Sequence, residues 1–139
     1  MTIRETILDT VMTTLVGTTG AGLHIYRSRL AAVQADATIA VIVRPIAETP
    51  EPIVITFMDR TLDIEVLVRA RGDIPDAVAD DTVGSVHAKL MADRTLGGAV
   101  LDLEDGPTDW AWDEADTDLV EVRLTYRLRY RTQDNSLTT

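Results

Sequence analysis

The chain has 139 residues with 13 basic against 23 acidic side chains, a net charge of −10, and no cysteine. A single domain of this size buries roughly 70% of its unfolded surface, so a core forms without staples, while the missing cysteines exclude disulfides, thiolate zinc sites and cysteine nucleophiles. The acidic balance argues against gripping nucleic acid through its phosphates, no apolar run nears the ~18 residues of a membrane span, and the N-terminus lacks a secretory pattern, which leaves a soluble, intracellularly made acidic domain as the expectation.

Thr2-Ile3-Arg4-Glu5 fits a capping box, with Thr2 accepting from the Glu5 amide and the Glu5 side chain returning to the cap amide. Ile3, Ile7, Leu8, Val11, Leu15 and Val16 then recur at helical spacing, and Gly17 offers a stop, which predicts a helix over 3–16. The glycine-rich run Gly17 to Gly22 follows a helix and has no Lys-Ser/Thr pair, so it reads as a helix exit, not a phosphate loop.

Leu23 to Arg29 reads as a short extended segment, and the β-branched run Ile39 to Arg44 as a strand ending at Pro45. Pro45, Glu48, Pro50, Glu51 and Pro52 predict a polar loop or hairpin tip before a further strand at 53–57. Thr61 to Arg71 alternates, with Leu62, Ile64, Val66, Val68 and Ala70 on one side and Asp63, Glu65, Arg69 and Arg71 on the other. Asp73 as cap and Pro75 in the first turn open a second helix ending near Asp93 and Arg94, with Ala79, Val83, Val86, Leu90 and Met91 inward.

Val100 to Glu104 and Asp109 to Trp112 predict two short strands, the two Trp sharing a face as packing residues. Leu119 to Arg131 is the longest alternating run, with Val120, Val122, Leu124, Tyr126, Leu128 and Tyr130 opposite Glu121, Arg123, Arg127, Arg129 and Arg131. Residues 132–139 are polar and read as a flexible tail on a single domain spanning 1–131. The order of elements predicts an α+β domain, a mostly antiparallel (mixed) sheet of about four to six strands with two main helices on one face.

No catalytic constellation emerges. His24 and His87 are isolated, and Ser28, Ser85 and Ser136 lack a nucleophile context, so no enzyme, cofactor or metal is expected. From Asp73 to Asp118 there are 13 acids against two bases, a net of −11, whereas 11 bases face 10 acids elsewhere, a net of +1. Asp102, Glu104, Asp105, Asp109, Asp113, Glu114, Asp116 and Asp118 invite a calcium test, but the Trp residues interrupt the run and the turn glycine of a helix-loop-helix site is missing. An acidic calcium-dependent binding module therefore stands only as an alternative. Arg127, Arg129 and Arg131, with Arg123, either balance Asp63 and Glu65 across neighbouring strands or meet an acidic surface on another subunit. If acids and arginines lie on opposite sides of the domain, head-to-tail contacts close a salt-sensitive ring.

The capped helix, the strand 39–43, the run Asp59-Arg60-Thr61-Leu62-Asp63-Ile64-Glu65-Val66-Leu67-Val68, Gly72-Asp73-Ile74-Pro75-Asp76 opening a helix and Leu90-Met91-Ala92-Asp93-Arg94-Thr95-Leu96-Gly97-Gly98 come in a familiar order. With Asp109-Trp110-Ala111-Trp112 and the closing Leu124-Thr125-Tyr126-Arg127-Leu128-Arg129-Tyr130, the chain resembles the tail terminator family of long-tailed bacteriophages over residues 3 to 131. The resemblance implies a non-enzymatic virion protein, made in the host cytoplasm, that forms a hexameric ring on the tail-tube protein. Such a ring stops tube growth, presents a surface to head connector or neck proteins and lets DNA pass without specific binding. On that reading the acids 102–118 are candidates for lumen or rim, Arg123, Arg127, Arg129, Arg131, Asp63 and Glu65 for the subunit interface, and Pro45, Glu48, Pro50, Glu51 and Pro52 for an inter-ring loop. A different neck component, such as a head-completion or connector protein, is the alternative within the virion.

Overall fold

A computed structural model describes residues 1–22, 24–28, 38–113, 115 and 118–139. The opening helix, α1 (Ile3–Leu15), is capped by Thr2, whose hydroxyl accepts from the Glu5 amide at 3.2 Å. The reciprocal half of the expected capping box is missing. Glu5 turns instead to Arg27, 2.9 Å away, and ties the helix to the short strand β1 (Ile25–Arg27). Ile7, Leu8, Val11 and Leu15 are buried on the inner stripe. The exit turn closes through Thr18, and Gly20, at φ +83°, lies so near Thr82 and Ile39 that a Cβ there would collide with both.

β2 (Ile39–Val54) and β3 (Phe57–Arg71) form a long antiparallel hairpin, and β3 pairs along its whole length with β5 (Leu119–Gln133). The sheet order is β1-β2-β3-β5-β4, with β4 (Asp102–Trp112) on one edge and β1 parallel to β2 on the other. Helix α2 (Pro75–Met91) packs with α1 on one face of this mixed sheet. The architecture is therefore the expected α+β fold with five strands. Its core joins the inner stripes of both helices to Leu62, Ile64, Val66, Val68 and Ala70 of β3 and to the even-numbered residues of β5.

Several expectations change. Residues 45–52 are not a loop, and 53–57 is not a separate strand, because β2 runs unbroken through all three prolines to a two-residue turn at Ile55 and Thr56. The strand tolerates proline because β1 covers only Val41 to Val43, so among the described residues one side of β2 beyond Val43 has no strand neighbour and needs no donor. Pro45, Pro50 and Pro52 oppose Ile64, Arg60 and Met58, and the bulge between Pro45 and Ala47 keeps all three in the same ladder phase, with the missing N–H directed outward. The two predicted strands at 100–104 and 109–112 are one strand, β4, carrying a bulge between Asp105 and Thr108 where Gly106 lies close over Thr125.

Asp73 does not cap α2. Ile74 occupies the cap without a side-chain bond, and Pro75 supplies the first turn. Thr82, absent from the expected inward stripe, is fully buried, its hydroxyl donating to the Thr19 carbonyl at 2.7 Å. At the C-terminus β5 continues to Gln133 with Thr132 buried, and the Leu137 carbonyl accepts from the Ile3 amide at 2.9 Å, so residues beyond 131 return to the start of the chain.

Candidate functional site

Strand alternation sorts the side chains of β3 and β5 cleanly. Even-numbered residues enter the core under the helices, and odd-numbered ones form the opposite face, helix-free among the described residues, where Leu67 is the one fully buried odd-numbered side chain of β3. On that face, Arg131 meets Asp59 at 2.8 Å, Arg127 meets Asp63 at 3.8 Å, and Arg123 meets Glu121 at 3.1 Å, with Arg69 also on Glu121 at 3.2 Å. Glu65 is bound not by a β5 arginine but by Arg44 of β2, at 2.7 Å. Within the chain, Arg127 and Arg131 are thus paired across strands, whereas Arg123 pairs along its own strand.

The acids divide by the same alternation. Asp102, Glu104 and Asp109 stand in register with Arg129, Arg127 and Arg123 on the helix-free face. Asp102, Glu104, Thr61, Arg127 and Arg129 line an open pocket of about 210 Å³ there. Asp105 pairs with Tyr126 on the helix side, where burial, and then the Asp105 charge, push the Tyr126 hydroxyl up to about 12. Asp113 and Asp118 flank the connection from β4 to β5, while Glu114 and Asp116 lie outside the described residues. Acids and arginines thus share neighbouring strands of one face. Asp76, Asp80 and Asp81 of the same acidic segment stand instead on α2, which packs on the other face of the sheet. Among the described residues, no group of three or more His, Asp or Glu side chains converges as a metal cage.

The hairpin arm carries the other candidates. Glu48 sits opposite Leu62, so it points to the helix side, where it accepts from Arg4 of α1 at 2.5 Å and from the Tyr130 hydroxyl, with Arg60 at 3.7 Å. Burial alone would raise its carboxyl, but hydrogen bonds from Arg4 and Tyr130 and the charges of Arg4 and Arg60 outweigh it and hold it below the ordinary glutamate value. Burial and the Glu48 carboxylate in turn push Tyr130 up to about 12. Glu48 is therefore a fastener between helix and arm, while Pro45, Pro50, Glu51 and Pro52 are exposed along β2.

Beyond this fastener the arm stands clear of the helices for roughly 20 Å at ~3.4 Å per residue. Ile53, Val54 and Phe57 are exposed, and Ile55 at the tip is 94% exposed. Sequence reasoning missed these residues because a continuous apolar run looks like a buried strand. The available signal was their flanking by three prolines. Trp110 and Trp112 do share a face, beside Val122 and Val120, but each remains 55% exposed on the edge strand instead of packed away.

The whole architecture has a counterpart among solved structures. The chain superposes with a TM-score of 0.58 on a chain of a structure described as the virion of a native gene transfer agent particle. The alignment covers 94% of this chain and 92% of that one, at 16% sequence identity. What the two share is the fold. No family model and no curated protein matches the sequence.

Among the described residues His24 and His87 join no nucleophile. His87 shares a hydrogen bond of 3.0 Å with the Tyr126 hydroxyl at the edge of the core, and His24 lies 2.9 Å from the Tyr26 hydroxyl. The surfaces left available are the charged sheet face, the apolar arm tip and the tryptophan edge. Broad and shallow, they suit contact with other macromolecules.

Proposed function

We propose that the chain is a structural component of a phage-type virion and, within it, a tail terminator. On this reading copies form a hexameric ring on the last ring of tail-tube protein, stop its polymerisation and offer the head connector or neck proteins a seat. The observation that carries the reading is the end-to-end fold likeness to a chain of a gene transfer agent virion, which spans nearly all of both chains. The resemblance of the sequence to the tail terminator family gives the position within the particle.

The proposed roles follow the geometry. The connection bearing Asp113 and Asp118, with Asp109 beside it, is assigned to rim or lumen, where like charge keeps a passing phosphate backbone off the wall. Arg123, Arg127 and Arg131, already paired with Glu121, Asp63 and Asp59, together with Arg129 orient the subunit contact more than they strengthen it, since exposed pairs contribute only ~0–1 kcal/mol each. The arm beyond Glu48 is the projecting assembly element.

Co-sedimentation of the purified protein with tail-tube assemblies, and separately with portal or connector rings, tests the assignment. Binding to the tube end, seen as terminal density in negative stain, is expected. Binding to portal or connector rings alone would move the chain to another neck position, and binding to neither would remove the virion reading.

A further inference from the structure

The arm tip and the tryptophan edge occupy opposite corners of the same sheet. The tip closes the row Val54–Phe57–Gln133, whereas Trp112 closes the row Ile39–Ala70–Val120 on the far edge strand. At ~3.3 Å per residue along β3, these rows are roughly 40 Å apart, so the two patches cannot meet within one chain. Both are apolar and solvent-facing: Ile53, Val54, Ile55 and Phe57 on a narrow two-strand finger, Trp110 and Trp112 as a broad pair of rings on an unpaired edge.

We propose that the arm tip of one copy seats on the Trp110–Trp112 edge of the next, so that successive copies join head to tail. This deepens the ring reading above and rests on it. The occupant is a second copy because of what the charges permit. A chain of net −10 meets like-charge repulsion whenever it approaches itself, and Asp109 and Asp113 flank the tryptophans. Residues 52–58 carry no charge at all, so the finger reaches that acidic corner without adding a like charge. The outer edge of β2, by contrast, is blunted by its prolines and cannot recruit a neighbour by strand pairing. A finger meeting a different patch is a heterologous contact, which propagates in one direction and closes when the rotation per copy divides the circle.

The absence of native cysteine makes a direct test available. Ile55→Cys alters a residue 94% exposed, and Thr108→Cys lies on the same side of β4 as Trp110, in register with Leu124, leaving both tryptophans in place. The two full-length variants are mixed under mild oxidation with tail-tube rings present, while wild-type protein is scored in parallel for tube binding and particle mass. A disulfide between the two variants, formed in the mixture and absent from either alone, is expected. Ile55→Asp is expected to weaken self-association by about tenfold or more with an unchanged melting temperature. Wild-type rings without the mixed disulfide, or a disulfide formed by Ile55→Cys alone, would overturn the tip-to-edge contact and leave the ring reading standing. Wild-type protein that neither self-associates nor binds tubes would overturn both.

Discussion

Glu48 shows how one side chain settles a local arrangement that composition cannot specify. Its carboxylate gathers Arg4, Tyr130 and Arg60 from three elements, so removing its charge leaves two guanidiniums and a phenol short of an acceptor. Glu48→Gln should destabilise the fold by about 1–3 kcal/mol, read from denaturant midpoints. Tyr130→Phe, which removes one donor and keeps the ring in the core, should cost about 1 kcal/mol. The pH dependence has a definite sign. A carboxyl whose folded value is lowered adds stability above its unfolded value, ordinarily 4.5, and that contribution is lost as pH falls through the folded value. The gap in melting temperature between wild type and Glu48→Gln should therefore be full at pH 6 and narrow steadily below pH 4.5. A gap that widened on acidification would contradict the fastener. The sequence showed Glu48 only as an acid among prolines, because its two hydrogen-bond partners lie 44 and 82 residues away.

At the scale of elements, alternation was readable and continuity was not. The period-2 runs at 61–71 and 119–131 correctly sorted core from surface, because one side of each strand lies under the helices. The same logic failed for β2, whose outer half is exposed on both faces and carries no alternation to read. Proline there signalled a loop, since it cannot sit in a central strand, but an edge position lifts that restriction. Likewise Gly106 and Pro107 split β4 into two predicted strands when they mark a bulge. The candidate site was legible residue by residue and not in its arrangement. Charge spacing located the acids and arginines, but only strand order places them side by side. If the prolines blunt the β2 edge, the triple variant Pro45→Thr, Pro50→Thr, Pro52→Thr restores three outward donors. It should show concentration-dependent scattering under conditions where wild type remains clear. Equal solubility of the two would argue against an edge-protecting role.

For the whole molecule, the charge of −10 acquires a distribution different from a simple two-sided one. The β4 acids at 102, 104 and 109 face β5 arginines, so the helix-free face is nearly balanced. Further acids stand elsewhere, at Asp73, Asp76, Asp80 and Asp81 near the start of α2. Self-association should consequently depend little on salt. Between 0.1 and 0.5 M NaCl the apparent dissociation constant should change by less than about threefold, where charge-driven assembly would weaken far more. Dissociation on adding salt would favour a charge-closed ring over the apolar contact.

The proposed ending of a growing tube by this protein is read out in the length of tubes assembled with and without it. Tail-tube protein is polymerised in the presence of increasing amounts of the chain, and lengths are measured by electron microscopy. Tubes that shorten with dose and carry added density at one end are expected. Tubes of unchanged length with bare ends at saturating protein would contradict it.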